Sequence, residues 1–528
     1  MKSRNRKHME EHRSMLGYHG ADYDAKIIQV GNVCQDIENN NTQDKDSALE
    51  EKCDIIYSSN SKGIFAQCLV SGAVLLLLTG GGMPIGYSAI LLPQLAEENG
   101  TMYADRQLGS WIASVHSLAT PVGSLVSGPL LDEIGRRGSL QFAAVPLFVG
   151  WFVIGFAENI SCLLIGRVVL GFGVGLMGVP AQVLLGETAD STLRGFLTGS
   201  TFTFYCLGIV IIYALGACFT WNIVALCGAV LPITALIALI LIPESPAWLV
   251  RRKKPDKARK ALLWLRGGNV QQVDAEMRIL EARMKTDLAR TATTTTSRLG
   301  QISSVVSTLL EPSVLKPLTI INVFNILQLI SGTFVIVFYA VNLVEDIGGD
   351  RINNYLAAVI TAITRVLFSS IASVLLLKIN RRCLGIFSAV GTAFASLVLA
   401  AYLSIQEESS IDVYVVGTFL LAYVAVSSMG LMTFPGLMVA ELLPQRARGI
   451  GGGCNFFFFN LFIFIVTKSF PAVSDAVGIT GIFAIFGISA LLEAIFVYVA
   501  LPETKNRTLQ EIEDYFQQDN LLWITRSR

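Results

Sequence analysis

The segment 187–195 reads ETADSTLRG, and the segment 441–449 reads ELLPQRARG. In each, an Arg-Gly pair follows a glutamate after the same interval, and the two copies start 254 residues apart. Further charged motifs repeat at nearly this spacing: Pro243-Glu244-Ser245 with Pro502-Glu503-Thr504, and Arg136-Arg137 with Arg381-Arg382. Each copy borders a long apolar run, and charged side chains are costly inside a membrane. The repeat therefore predicts a duplicated membrane protein.

The composition also indicates an integral membrane protein. Of the 528 residues, 52% are hydrophobic and 15% are charged, and the mean hydropathy is +0.56. Soluble proteins carry roughly 25% charged residues. The net charge of zero argues against a nucleic-acid partner. The nine cysteines lack paired spacing, and no nucleophile–base set or phosphate loop is visible, so we expect no metal site, no cofactor and no enzyme.

Apolar stretches of about 20 residues are long enough to cross the hydrocarbon core. The sequence has twelve such stretches, at 64–90, 108–131, 139–157, 162–185, 196–219, 222–242, 317–343, 355–378, 383–404, 412–438, 449–471 and 479–501. They predict an all-α membrane protein with twelve transmembrane helices in two six-helix bundles. Because each half has an even number of spans, both halves enter the membrane in the same orientation, and the substrate path runs between them.

The basic residues predict which side each loop faces. With a cytoplasmic N-terminus, the short inner loops carry eight basic residues and the short outer loops carry two, as the positive-inside rule requires. The chain then has a disordered cytoplasmic tail (1–62), a first bundle (63–249), a cytoplasmic helical linker that latches the halves (250–316), a second bundle (317–502) and a cytoplasmic C-terminal tail (503–528). No signal peptide is visible in the polar tail. Asn99 lies in the first outer loop and is either a glycan site or an unused sequon.

The repeated charges are predicted to lie together at the inner ends of the two halves. Opposite charges there are expected to pair across the halves and to stabilise the state in which the inner mouth is closed. Exposed ion pairs contribute only about 0–1 kcal/mol each, which suits a switch between two states. The alternative is that they are anchors in contact with lipid headgroups. The predicted gate residues are Asp132, Arg136, Arg137, Glu187, Arg194, Glu244, Arg381, Arg382, Glu441, Arg448 and Glu503.

Several motifs occur in order along 64–514. They are Asp132-Glu133-Ile134-Gly135-Arg136-Arg137, Gly166-Arg167, the two Glu-to-Arg-Gly segments, Pro243-Glu244-Ser245 and Pro502-Glu503-Thr504-Lys505. Together they resemble the motifs of the sugar porters of the major facilitator superfamily. Ser110-Trp111-Ile112-Ala113-Ser114, Leu185-Gly186-Glu187-Thr188 and Thr467-Lys468-Ser469-Phe470 are similar to motifs of the insect facilitated trehalose transporters. The resemblance implies the major facilitator fold and a monomeric plasma-membrane carrier that moves a sugar, such as trehalose or a hexose, by facilitated diffusion and alternating access.

The resemblance also suggests where a sugar would bind. Sugar porters use polar side chains of several spans, the seventh above all, and Gln328 matches the first of a pair of glutamines there. Leu329 and Phe334 replace other polar positions of that pattern, so the cavity has lost polarity. Each remaining candidate is either a binding residue or a helix-packing residue. The candidates are Gln328, Asn325, Thr333, Tyr339, Asn460 and Asn455.

Ionisable residues within the spans separate the transport modes. Ser88 stands where proton-coupled sugar porters carry an acid, which favours uniport and leaves Arg167 without that partner. His116 is either a proton site or, more in keeping with its setting, a hydrogen-bonded core residue. Arg365 is near the middle of a span, so it should face the cavity or an acidic partner such as Glu493.

Two other functions stay open at this point. An Arg365 that faces the cavity, together with the lost polar positions, would suit an anionic or more apolar solute. A sensor that does not transport, and that signals through residues 1–62 or 250–316, is the third possibility.

Overall fold

The computed structural model describes residues 61–96, 102–292, 309–343, 353–405, 413–444 and 447–504, together with residues 512, 515 and 516. The described residues form helices and connecting turns and contain no strand, so the predicted all-α class is confirmed. The predicted glycan site Asn99 and the tail up to residue 60 lie outside the described residues, as do the side chains of Arg194 and Arg448.

The first half of the chain forms α1 to α7, and the linker forms α8 to α10. Their bounds are α1 Ser61–Ala96, α2 Arg106–Ile134, α3 Arg136–Gly155, α4 Ile160–Thr188, α5 Ser191–Gly216, α6 Trp221–Gly228, α7 Val230–Leu241, α8 Pro246–Arg251, α9 Pro255–Leu265 and α10 Val270–Ala292. The second half forms α11 to α17. Their bounds are α11 Pro312–Ile330, α12 Val335–Phe338, α13 Asn354–Lys378, α14 Arg381–Ile405, α15 Val413–Met429, α16 Phe434–Leu442 and α17 Arg448–Ala500.

Ten of the described helical segments are long and apolar enough to cross a membrane. One of them, within α17, contains two of the predicted spans, since non-helical φ and ψ angles at Gly478 mark a kink between two merged helices. The 29-residue helix α2 is also long enough but less apolar, because serines and glycines interrupt its hydrophobic residues. The count of twelve spans therefore stays a prediction.

Two spans of the second half that were predicted as continuous are broken. The seventh separates into α11 and α12 around Gly332, whose φ of +85° is a backbone conformation that favours glycine. A Cβ at this position would lie 2.4 Å from the Phe486 ring, so helix α17 also requires a small residue there. The tenth separates into α15 and α16, and Pro435 lies in the first turn of α16, where a missing N–H costs nothing.

In the described part of the chain, the two halves meet mainly along three pairs of helices. Helix α2 packs on α17, α5 packs on α13, and α1 contacts the short helix α12. Within the halves, α4 packs between α2 and α3, and α14 packs on α17. The small residues of α4 allow this close approach, since a Cβ at Gly175 would lie 2.1 Å from the backbone oxygen of Thr120.

The linker helices attach to the first half. Arg266, which is buried, pairs with Glu276 at 2.7 Å and donates to the backbone oxygen of Thr188 at 3.1 Å, at the end of α4. Trp248 Nε1 donates to the backbone oxygen of Asp132 at 3.0 Å. The linker was expected to latch the two halves together, but these contacts hold it to the first half.

Candidate functional site

One end of the helix bundle carries the repeated charges, and we call it the charged end. In the first half, the guanidinium of Arg136 donates two hydrogen bonds of 2.9 Å to the two carboxylate oxygens of Glu187. The Glu244 carboxylate accepts the backbone N–H groups of Arg136 and Arg137, each at 3.0 Å, and so caps α3. Gly135, with a φ of +92°, begins α3, and a Cβ there would lie 2.6 Å from Glu244.

The second half repeats this arrangement. Arg381 pairs with Glu441 at 3.3 Å, and the Glu503 carboxylate accepts the backbone N–H groups of Arg381 and Arg382, each at 3.2 Å. The hydroxyl of Thr504 donates to Glu441, as that of Ser245 donates to Glu187. The sequence repeat is therefore also a repeat of geometry, in which one glutamate pairs with an arginine and the other caps the helix that begins there.

These ion pairs lie within one half each. Arg136 and Glu187 belong to the first half, and Arg381 and Glu441 belong to the second. Pairing across the halves, expected for the state with a closed inner mouth, is not seen among the described ion pairs and stays a prediction. The physical reason is reach, since each arginine begins a helix whose own half supplies a glutamate at hydrogen-bond distance. Asp132, a predicted gate residue, contributes its backbone oxygen to Trp248 and is exposed.

Charged side chains contact across the halves at the opposite end, which we call the Trp111 end. The Lys468 ammonium of α17 donates to the hydroxyl of Ser110 in α2 at 2.6 Å and lies 4.3 Å from the centroid of the Trp111 indole. We call these three residues the Lys468 latch. Arg106 and Asp475 form an ion pair beside it.

The sequence singled out both motifs of the latch as a family likeness and did not predict their contact. The available signal was position: Trp111 lies near the start of the span 108–131, and Lys468 near the end of the span 449–471. Two antiparallel spans place these residues at the same membrane surface.

The break in the seventh span lies between the two ends. Tyr213 of the first half donates to the backbone oxygen of Val337 in α12 at 2.6 Å, and Tyr339 donates to that of Thr467 in α17 at 3.0 Å. Broken membrane helices are typical of transporter binding sites, because the unwound backbone offers carbonyl oxygens and helix ends to a ligand.

Two of the six predicted binding residues have free hydrogen-bonding capacity. Gln328 is fully buried, and neither its carboxamide oxygen nor its nitrogen has a hydrogen-bond partner among the described residues. Asn325, one turn earlier, donates to Asn455 Oδ1 at 2.8 Å, while its own Oδ1 has no partner in the described part of the chain. A buried amide without partners costs free energy, so such groups suggest a ligand or water at this place.

The other candidates are engaged with the protein backbone. Thr333 donates to the backbone oxygen of Gln328 at 3.0 Å, and Asn460 donates to that of Phe456 at 2.9 Å. With Tyr339, they have the contacts of helix-packing residues. Whether any of the six binds a solute stays a prediction.

Arg167 is completely buried in the first half and is satisfied without a carboxylate. Its guanidinium donates to the backbone oxygens of Pro84 at 2.6 Å and Ile112 at 3.1 Å, and to the hydroxyl of Ser88. His116 is buried as expected of a core residue, but its Nδ1 has no partner among the described residues.

Arg365 of the second half is only 2% exposed. One guanidinium nitrogen donates to the backbone oxygen of Thr333 at 3.3 Å and contacts the sulfur of Met432. Glu493 is fully buried, and both of its carboxyl oxygens lack a hydrogen-bond partner in the part of the chain that the structure describes. The suggestion that Glu493 pairs with Arg365 was therefore wrong.

These features define a polytopic membrane protein of two related helical halves with a partly unsatisfied polar site at a helix break. Residues 78–516 match the sugar (and other) transporter family. The chain belongs to this family.

Two relatives are facilitated trehalose transporters of insects. The one from Drosophila willistoni is 32% identical over 461 residues, which are 86% of this chain and 52% of the relative. The one from Culex quinquefasciatus is 31% identical over 459 residues and is covered to 86%. The chain thus spans about half the length of the Drosophila relative. The predicted likeness to insect facilitated trehalose transporters is confirmed.

Two solved structures share the fold. A proton:xylose symporter of the major facilitator superfamily, bound to 6-bromo-6-deoxy-D-glucose, superimposes with a TM-score of 0.67 at 21% identity and covers 87% of this chain and 100% of that chain. An E. coli xylose transporter in a partially occluded, inward-open conformation gives 0.68 at 20% identity, with 84% and 99% covered. These likenesses show the major facilitator fold.

Proposed function

We propose that this chain is a facilitative carrier of a sugar, trehalose or a hexose, that works by alternating access. The observation that carries the proposal is the difference between the two ends. The halves contact each other at the Trp111 end, whereas the described ion pairs at the charged end each stay within one half. A carrier with one end closed and the other free to separate has the form that rocking of two halves requires.

The charged end faces the cytoplasm in this proposal, because basic residues concentrate in inner loops. Both termini are then cytoplasmic, the membrane is the plasma membrane and the described state is open towards the inside. Arg194 and Arg448 would contribute to closing the inner mouth in the other state. The carrier is a monomer in the bilayer, and Asn99 lies in an outer loop where a glycan can be attached.

Uniport is supported by the contacts of Arg167. In this chain Ser88 accepts a hydrogen bond from the guanidinium at the position where a proton-coupled porter would place an acid. A serine hydroxyl does not titrate in the physiological range, so this site carries no proton during the cycle.

The sugar binds, in this proposal, at the break between α11 and α12. Gln328 supplies its carboxamide and Asn325 its Oδ1, which have no partner among the described residues, and sugar hydroxyls are donors and acceptors that can satisfy them. The family relationship to trehalose transporters supports a disaccharide or hexose as the solute.

Uptake of labelled trehalose and glucose into proteoliposomes, with and without a pH gradient, tests the proposal. We expect saturable flux of at least one sugar that is unaffected by the gradient. Gln328→Leu should reduce this flux by about tenfold or more, since it removes both free groups. Asn460→Leu is the matched control, because its amide bonds to its own helix.

Three results would contradict parts of the proposal. Absence of saturable flux of either sugar would contradict the proposed substrate. Flux driven by the proton gradient would contradict uniport. An intact cellular signalling response without any flux would indicate a sensor.

A further inference from the structure

The two buried arginines of the membrane interior differ in how many of their donors are used. A guanidinium has five N–H donors. Arg167 in the first half donates to three protein oxygens at close distance. Arg365 in the second half has one protein oxygen, at 3.3 Å, and one methionine sulfur as its described partners. Most of the donors of Arg365 are therefore available to a ligand, and those of Arg167 are not.

Arg365 lies on the face of α13 that meets the first half. Ser369, one turn further on, has its hydroxyl oxygen 3.5 Å from that of Thr203 in α5. Arg365 thus lies on the interface side of α13, near the middle of this 25-residue helix, and the described contacts of its guanidinium, Thr333 and Met432, belong to the second half.

The same guanidinium adjoins the break in the seventh span. Its described oxygen partner is the backbone carbonyl of Thr333, between α11 and α12. The Thr333 hydroxyl donates in turn to the backbone of Gln328, whose carboxamide is free among the described residues. The guanidinium thus adjoins an unwound backbone, and Thr333 links that backbone to the residue that carries the unpartnered amide.

A buried cation without a carboxylate partner is costly, and a ligand that brings the opposite charge recovers that cost. An arginine fork matches the two oxygens of a carboxylate and is satisfied by one negative charge. We infer that Arg365 binds the carboxylate of an acidic sugar, a hexuronate, and that this carrier transports such sugars by the path proposed above. The inference rests on the proposed function, and it adds the class of solute.

The test uses the full chain in proteoliposomes, with glucuronate and glucose as a matched pair that differs in one carboxylate. We expect saturable exchange of labelled glucuronate. Net uptake of glucuronate should increase when the interior is positive, since each turnover moves one negative charge, whereas glucose uptake should not respond to the potential. Arg365→Gln should reduce glucuronate exchange by at least about tenfold and leave glucose exchange within about threefold.

Arg365→Lys is the second variant, since it keeps the charge and loses the fork. It should retain an intermediate rate of glucuronate exchange. If size-exclusion chromatography shows that Arg365→Gln does not fold, Arg365→Lys replaces it as the test of the arginine fork. Exchange by the unmodified protein decides the inference in either case.

The outcomes separate this inference from the proposed function. Flux of glucose or trehalose without glucuronate exchange overturns the inference alone. Glucuronate exchange without flux of neutral sugars supports the inference and contradicts the proposed transport of trehalose or a hexose. If Arg365→Gln reduces glucose and glucuronate exchange equally, Arg365 does not bind the carboxylate. If the protein exchanges glucose 6-phosphate but not glucuronate, the inferred preference for a carboxylate is wrong. No flux of any solute removes both proposals.

Discussion

The two ends of the molecule use charged side chains for different purposes. At the charged end, Arg136 is 3% exposed and forms a bidentate pair with a glutamate of its own half. At the Trp111 end, the partly exposed Lys468 contacts a residue pair of the other half. Buried pairs are costly to break, whereas partly exposed contacts contribute little. Among the charged contacts, the strong ones thus brace each half and the weak ones join the halves.

The largest expected effect is on the ion pair between Arg136 and Glu187 in the first half. Arg136→Ala leaves Glu187 at a partly buried place without its bidentate partner, so we expect a loss of about 3–5 kcal/mol in the free energy of unfolding. Thermal or chemical denaturation in detergent measures it. Arg381→Ala is the matched change in the second half and should cost clearly less, because that pair is longer, at 3.3 Å, and more exposed. Equal losses would contradict the difference between the halves.

The second effect is on the latch. Lys468→Met removes the ammonium that contacts Ser110 and Trp111, which together contribute on the order of 1–2 kcal/mol. We expect the population open at the Trp111 end to rise by about tenfold. Spin labels at positions 103 and 477, on a background without the nine native cysteines, report the distance across this end. The control is the same pair of labels in the Arg136→Ala variant, in which we expect no change of this distance. A longer distance in Arg136→Ala but not in Lys468→Met would contradict the assignment of the latch as the contact that holds the Trp111 end closed.

A smaller shift is expected for Ser110→Ala, which leaves the ammonium above the Trp111 ring and removes one hydrogen bond. The net value of such a bond is about 1 kcal/mol, so the open population should rise by about fivefold. The same distance measurement reports it. A shift as large as that of Lys468→Met would show that the contact with the indole adds nothing.

The smallest effect is expected at the ion pair beside the latch. The side chains of Arg106 and Asp475 are 59% and 53% exposed, and exposed pairs are screened by water and salt. Arg106→Gln should leave the distance distribution unchanged. A clear opening in this variant would mean that long-range charge, and not the latch, holds the Trp111 end closed.

The sequence predicted the features that depend on local pattern. Apolar runs predicted the all-α class, and the repeat placed Arg136, Glu187 and their counterparts together at one end of their halves. It did not predict that these pairs stay within each half, because partners on neighbouring helices and across the halves have the same sequence signature. The contact of Lys468 with Trp111 joins residues more than 350 positions apart, and the isolation of Glu493 depends on packing, so neither can be read from spacing.

Helix α17 carries a mechanical consequence. Its two parts join at Gly478 without a loop, and the first part carries Lys468 while the second packs on α14. Two helices joined at a single non-helical residue are tethered there but can tilt relative to each other about it. Release of the latch would therefore let the first part tilt about Gly478 while the second part keeps its packing on α14.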